Sequence, residues 1–235
     1  TNMAAELGAK TGIIAPDDTT AEWLAAAGAG DVDIHTWQGD AGAPVARTIS
    51  IDGAALAPQV AAPSNPENAG DVSKYAGTPV AQAYIGACTG AKLADLRMAA
   101  DVVCGRKAAA GMRFFVAPAS NRVRDAARAD GTLATLEDAG AVILATGCGG
   151  CIGLGPARLD EDMTGISTTN RNFVGRAGPP SSRLYLGSAY SVAAAAVVLI
   201  VRLTGLVDLP IDPMLISAGG MLGIETTGIA DPTGL

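Results

Sequence analysis

The chain has 235 residues and a net charge of −7; its apolar content is 49%, only 4% aromatic, and it carries 30 glycines. A chain this acidic repels phosphate backbones, which argues against nucleic acid as a partner, and its four cysteines are too few to scaffold a fold of this length. The longest apolar run, Ala189 to Val201, is broken by Ser191 and ended by Arg202; it is too short to span a bilayer and argues against a membrane role.

Residues 1–15 are expected to form a helix running into a strand at Gly12-Ile13-Ile14-Ala15. Pro16-Asp17-Asp18 is a turn, and Thr19-Thr20-Ala21-Glu22 resembles a capping box opening a short helix through Ala27. Residues 28–45 read as loop, Ala46 to Ile51 alternates like a strand, and residues 61–77 carry the Pro, Asn and Gly of a linker. From Thr78 onward strands and helices alternate. The expected elements are strand 80–86, helix 91–103, strand 112–117, helix 121–129, a short helix 133–138, strand 141–145, strand 164–168 and helix 188–203. That alternation predicts an α/β fold with a parallel sheet and right-handed crossovers. Residues 206–235 form a Gly- and Pro-containing tail. The start, Thr1-Asn2-Met3-Ala4-Ala5-Glu6, lacks the basic and apolar pattern of a signal peptide, and the cysteine usage suits a reducing compartment, so a cytoplasmic location is expected.

Three cysteines fall where strands should end. Cys88 follows Val80–Ala87, and Cys148 and Cys151 follow Ala141–Ala145. The last expected strand ends in Asn170-Arg171-Asn172-Phe173-Val174-Gly175-Arg176. If those strands are parallel neighbours, their carboxyl ends share one crevice, the usual ligand site of an open α/β sheet. A CxxC there is compatible with a redox dithiol at a helix N-terminus, or with half a zinc site completed by His35 or Cys104. Three cysteines with no obvious fourth ligand also suit a [4Fe–4S] cluster with one iron left open to a hydroxyl. Arg171 and Arg176 read either as solvated loop residues or as a planar clamp for carboxylates. Asn2 and Glu6, at i and i+4, read in isolation as a solvated polar face. His35 beside Trp37 reads as a structural or surface histidine, and Cys104 as a buried small hydrophobe.

Taken together, Ile85-Gly86-Ala87-Cys88-Thr89, Gly147-Cys148-Gly149-Gly150-Cys151-Ile152-Gly153 and Thr169-Asn170-Arg171-Asn172-Phe173-Val174-Gly175-Arg176 resemble, in order and rough spacing, the cluster-binding half of the aconitase superfamily. The similarity is strongest to the large subunit of 3-isopropylmalate dehydratase and homoaconitase. Asn2–Ala9, Gly12–Asp17, Leu56–Val60 and Ala94–Arg97 resemble it too, so the likeness covers roughly residues 1–207. The resemblance implies a three-layer parallel-sheet domain at 78–207, preceded by part of a second α/β domain at 1–62, a linker at 63–77 and a tail at 208–235. It implies a [4Fe–4S] cluster on Cys88, Cys148 and Cys151, with Asn170 in the shell around it. Arg171 and Arg176 would bind a substrate carboxylate, and Asn2 and Glu6 would stand close to the cluster and its bound water, as catalytic residues. The implied reaction is removal and re-addition of water on a 2-hydroxy di- or tricarboxylic acid. The implied partners are a chain carrying the missing amino-terminal half of the fold and a small swivelling subunit.

This sequence departs from the family pattern at Gly90, where the family usually has Asn, at Ala87 in place of a usual Ser, and at Thr1 in place of a frequent Cys. A Thr at the first position also permits a different expectation, that of a self-processed hydrolase in which Thr1 is the nucleophile and its own amine the base.

Overall fold

The computed structural model describes residues 1–6 and 8–197. The described residues fall into two compact units, 1–55 and 56–197; residues 198–203 of the expected last helix and the expected tail lie outside them.

Among its described residues the first unit has one α-helix, α1 (Asp18–Ala26), and 3-10 turns at Ile34–Trp37 and Gly53–Ala55. The cap of α1 sits earlier than expected. Asp17 is the N-cap, its carboxylate accepting from the Thr20 amide at 2.9 Å, while the Thr20 hydroxyl accepts from the Asp17 amide at 3.3 Å. Two orphan donors are thereby satisfied reciprocally, and the amide bonds hold the Asp17 carboxyl below its usual range. Residues 1–6 form turns instead of the expected helix, closed by bonds such as Ala4 N to Thr1 O, and 12–15 and 46–51 form no strand. An apolar run becomes a strand only where another strand takes its backbone groups, and no described residue does so here. Ile13, Ile14 and Ile51 remain exposed.

The second unit is built on a seven-stranded sheet: β1 (Gln59–Ala61), β2 (Ala69–Asp71), β3 (Gln82–Gly86), β4 (Arg113–Ala117), β5 (Val142–Ile143), β6 (Thr164–Ser167) and β7 (Arg183–Gly187). The spatial order is β2-β1-β7-β6-β3-β4-β5. Strands β7, β6, β3, β4 and β5 run parallel, and the β1–β2 hairpin adds antiparallel through β1 to β7. The segment expected to be a linker therefore supplies β2 and a 3-10 turn at Val72–Tyr75. Its Pro63, Asn65, Pro66 and Asn68 make the connection between two strands.

The helices are α2 (Ala87–Gly90), α3 (Leu93–Val103), α4 (Asn121–Ala129), α5 (Thr132–Asp138) and α6 (Ala189–Val197). Three of them start or turn where short polar side chains or glycine permit: Asp95 accepts from the Lys92 amide ahead of α3, Ser120 caps α4, and Asp130 with left-handed Gly131 turns α4 into α5. Their apolar stripes follow the 3.6-residue period. Leu96, Ala99, Ala100 and Val103 of α3, Leu133 and Leu136 of α5 and Val192, Ala193 and Ala196 of α6 are buried in one core with Ala83, Ile85, Phe114, Val116 and Ile166 of the sheet.

The strand residues between those point to the opposite face, as a period of two requires. There Tyr84, Phe115 and Ala117 meet Cys151 and Ala157, and Leu184 and Leu186 meet Leu159 and Ala177. That face is covered by the chain returning from β5 to β6. The return is pinned at its middle: Gln82 Nε2 donates to Ala157 O at 2.8 Å, and Arg113 donates to Pro156 O at 2.8 Å and Arg158 O at 3.1 Å while pairing with Asp160 at 2.7 Å.

Candidate functional site

The strand order fixes where a ligand belongs. The chain moves outward from β3 to β4 to β5, then crosses back to β6 on the other side of β3. The carboxyl ends of β3 and β6 are thus the switch point of the parallel sheet, where the connections diverge and leave a crevice. Cys88 follows β3 there, and the 168–176 loop follows β6. Strand β5 is not a neighbour of either, contrary to the expectation that all three strands adjoin; its loop carries Cys148 and Cys151 back across the sheet.

Cys88 lies exposed on α2, whose first residue, Ala87, is buried with φ +66°. A left-handed alanine is strained backbone, and a side chain holds the strain in place. Thr168, just past β6, accepts from the Gly86 amide at 2.9 Å and donates to Gly90 O at 2.7 Å. One hydroxyl thus ties both ends of the Cys88 turn to the neighbouring strand. A Cβ on Gly90 would fall 2.0 Å from Thr168 O, so no larger residue fits at Gly90 in this arrangement.

Cys148 is the N-cap of a single 3-10 turn, Gly149–Ile152, that contains Cys151, and the Cys151 amide donates to Cys148 O at 2.8 Å. Cys148 is exposed and Cys151 buried, and no described cysteine is in a disulfide. Cys151 Sγ lies 3.9 Å from Asn170 Oδ1 and 4.0 Å from Arg176 Nη2. Burial pushes the Cys151 thiol up, Arg176 opposes it, and Cys148 and Cys88 raise it further. As they stand, no three Cys, His, Asp or Glu side chains among the described residues form a group that could hold a metal ion. In its chemistry the donor set nonetheless fits an iron–sulfur cluster: three free thiols on two short turns, a guanidinium beside one of them, Cys151, and the buried hydroxyl of Tyr84, whose proton has no acceptor among the described residues. Burial, then the charges of Cys151 and Cys148, push the Tyr84 phenol well above its usual range.

Arg171 and Arg176 are both partly buried, and Arg176 Nε is buried without a hydrogen-bond partner. Between them Asn172, 2% exposed, anchors the loop: its Nδ2 donates to Ala62 O at 2.8 Å and Leu184 O at 3.0 Å. Thr1 and Asn2 are exposed and Glu6 partly buried, all in the first unit. His35 is exposed in the Ile34–Trp37 turn. Cys104, expected to be buried, is exposed at the C-cap of α3.

Sequence reasoning missed Tyr84, Thr168 and Asn172. Tyr84 sits in an apolar strand and passes for core, although its phase opposite Ala83 and Ile85 puts it on the cysteine face. Thr168 and Asn172 bond to residues far away in sequence, which no local pattern reveals.

The aconitase family (aconitate hydratase) model matches residues 1–79 and 71–198. The chain is 40% identical over 196 residues to "3-isopropylmalate dehydratase large subunit 2" of Archaeoglobus fulgidus, covering 83% of this chain and 47% of that protein. It is 43% identical over 199 residues to "3-isopropylmalate dehydratase large subunit 1" of Pyrococcus furiosus, covering 84% and 46%. It is 40% identical over 197 residues to "Homoaconitase large subunit" of Thermus thermophilus, covering 83% and 45%. The chain thus spans about half the length of the curated relatives it matches. With its α/β sheet, its cysteine-bearing switch point and these matches across most of its length, the chain belongs to the aconitase family.

Proposed function

We propose that this chain supplies the cluster-binding part of a hydro-lyase that removes and re-adds water on a 2-hydroxy di- or tricarboxylic acid, with isopropylmalate-like acids as the first candidates. The observation that carries the reading is the placement of three free thiols on the turns that follow β3 and β5, Cys88 on one and Cys148 and Cys151 on the other, with Arg176 Nη2 4.0 Å from Cys151 Sγ. Relatives named as dehydratase and homoaconitase large subunits support it. Cys88, Cys148 and Cys151 would hold a [4Fe–4S] cluster, which when bound supplies a Lewis acid for a hydroxyl group.

The chain's own residues would do the rest. Asn170, within reach of Cys151 Sγ, would orient that ligand, as polar neighbours do around metal sites. Arg171 and Arg176 would take a substrate carboxylate, the planar fork of each binding oxygens in a fixed direction. Asn2 and Glu6 would act at the reacting hydroxyl and proton. The remaining parts of the active site would come from a polypeptide carrying the amino-terminal half of the family fold and from a small subunit, a partner consistent with the large-subunit names of the relatives. Among the described residues no helix is long and apolar enough to cross a membrane.

The test replaces Arg171 and Arg176 singly by Lys in the assembled enzyme. Lys keeps the charge and loses the fork, and each change should cost about 1.5–3 kcal/mol of charge-assisted hydrogen bonding. That corresponds to a fall of roughly 10- to 150-fold in kcat/KM for a dicarboxylate substrate. Unchanged steady-state kinetics in both variants would rule out the clamp.

A further inference from the structure

Tyr84 is a buried polar group at this site for which the reading above has no use. The residue is 2% exposed, and its buried hydroxyl donates to no described residue; the Gly150 amide beside it can only donate to its oxygen, so the phenol proton has no acceptor. Desolvating a hydroxyl without replacing its water contacts is unfavourable, and phenylalanine would fill the same space without that cost. The ring also has a built-in place. It lies over Gly86, two residues on along the same face of β3, so closely that a Cβ there would fall 2.1 Å from Tyr84 Cζ and 2.4 Å from Oη. The far end of the ring reaches the turn between the two cysteines of the CxxC: a Cβ on Gly150 would stand 3.2 Å from Tyr84 Cε1, and one on Gly149 would stand 3.8 Å from Oη. Three glycines, Gly86, Gly149 and Gly150, thus make the room that brings this hydroxyl up to the turn. Cys151 and Cys148 both act on it electrostatically.

We propose that Tyr84 is a positioning residue whose hydroxyl donates a hydrogen bond to a sulfur of the group held by Cys148 and Cys151, either a cysteine thiolate or an inorganic sulfide. The inference rests on the iron–sulfur reading of the three cysteines and adds to it a donor from a different element, the strand beneath the turn. Hydrogen bonds to ligand sulfurs withdraw electron density from them and so set retention and potential.

The experiment compares the full chain with its Tyr84→Phe variant, both reconstituted anaerobically with ferrous iron and sulfide. Three quantities are measured: iron retention against a chelator, the reduction midpoint of the bound group, and the melting temperature of the metal-free chain. Tyr84→Phe should weaken iron retention about 10-fold and move the midpoint to more negative potential. The metal-free variant should melt at the same temperature as the parent or higher, because the phenol proton without an acceptor is gone while the ring still covers Gly86. A purely structural hydroxyl would do the reverse, lowering the metal-free melting temperature and leaving the midpoint alone; that result overturns the proposal. So does a variant that matches the parent in both retention and midpoint. A parent that takes up no iron and sulfide at all defeats the underlying iron–sulfur reading, and this inference with it, whereas a loaded parent beside an unaltered variant defeats only the role of Tyr84.

Discussion

Replacing Cys88, Cys148 or Cys151 by serine is expected to abolish binding of an iron–sulfur cluster, while Cys104→Ser leaves it intact. Anaerobically prepared parent protein should carry about four irons and four sulfides per chain. A serine hydroxyl keeps the shape but not the soft, readily ionised sulfur that iron prefers. The three losses should differ in what remains. Cys148 and Cys151 share one 3-10 turn, so Cys88→Ser leaves a CxxC pair that can still take a divalent ion such as zinc, whereas changes at Cys148 or Cys151 break that pair. Cys104 lies at the carboxyl end of α3, away from the strand ends that carry the others. Iron, zinc and acid-labile sulfide measured on the four variants decide the matter. Stoichiometric zinc with no labile sulfide in the parent would reject the cluster, and equal iron loss in Cys104→Ser would reject the ligand set.

The strand ends that carry the cysteines were legible because their signals are local: a β-rich run, then a cysteine with glycine close by. The same holds for α4, expected at 121–129 and found there, since Ser120 and a strong polar–apolar alternation mark both its start and its face. β7 was missed although Leu184 and Leu186 alternate inward with Arg183 and Tyr185 between them, because Pro179-Pro180 and two serines just before it suggest continuing loop. β1 and β2 were hidden in the same way by the turn residues that join them. The expected strand at 141–145 shrinks to Val142–Ile143, since as the edge strand it has one neighbour only, β4. In the first unit the apolar alternation was present but no described strand pairs with it, so periodicity there predicted more structure than formed. What no local pattern could supply is the set of single side chains that hold one segment to another: Tyr84 under the CxxC turn, Thr168 across the Cys88 turn, and Asn172 beneath the arginines.

Asn172 should prove the most sensitive of these to a small chemical change. Its side-chain amide donates to two carbonyls on different strands, Leu184 O in β7 and Ala62 O at the end of β1, at 3.0 and 2.8 Å, with Ala61 O a more distant third at 3.5 Å. Only a donor suits that surrounding. Asn172→Ala strands the two carbonyls and leaves a small void, for an expected loss of about 2–4 kcal/mol. Asn172→Asp is nearly the same shape but turns a carboxylate toward carbonyl oxygens in a site almost free of water, an unpaired buried charge expected to cost about 3–5 kcal/mol. In a domain of this size each kcal/mol shifts the melting temperature by about 2–4 °C, so the aspartate variant should melt roughly 6–20 °C below the parent at neutral pH. The buried carboxyl should take up a proton far more readily than a free one, so part of the lost stability should return as the pH is lowered toward 5. Because Asn172 sits between Arg171 and Arg176, the aspartate variant should also lose carboxylate binding at temperatures where it is still folded. An aspartate variant as stable as the parent at pH 7 would show that the two carbonyls are not held by this amide, and that the arginine loop is anchored elsewhere.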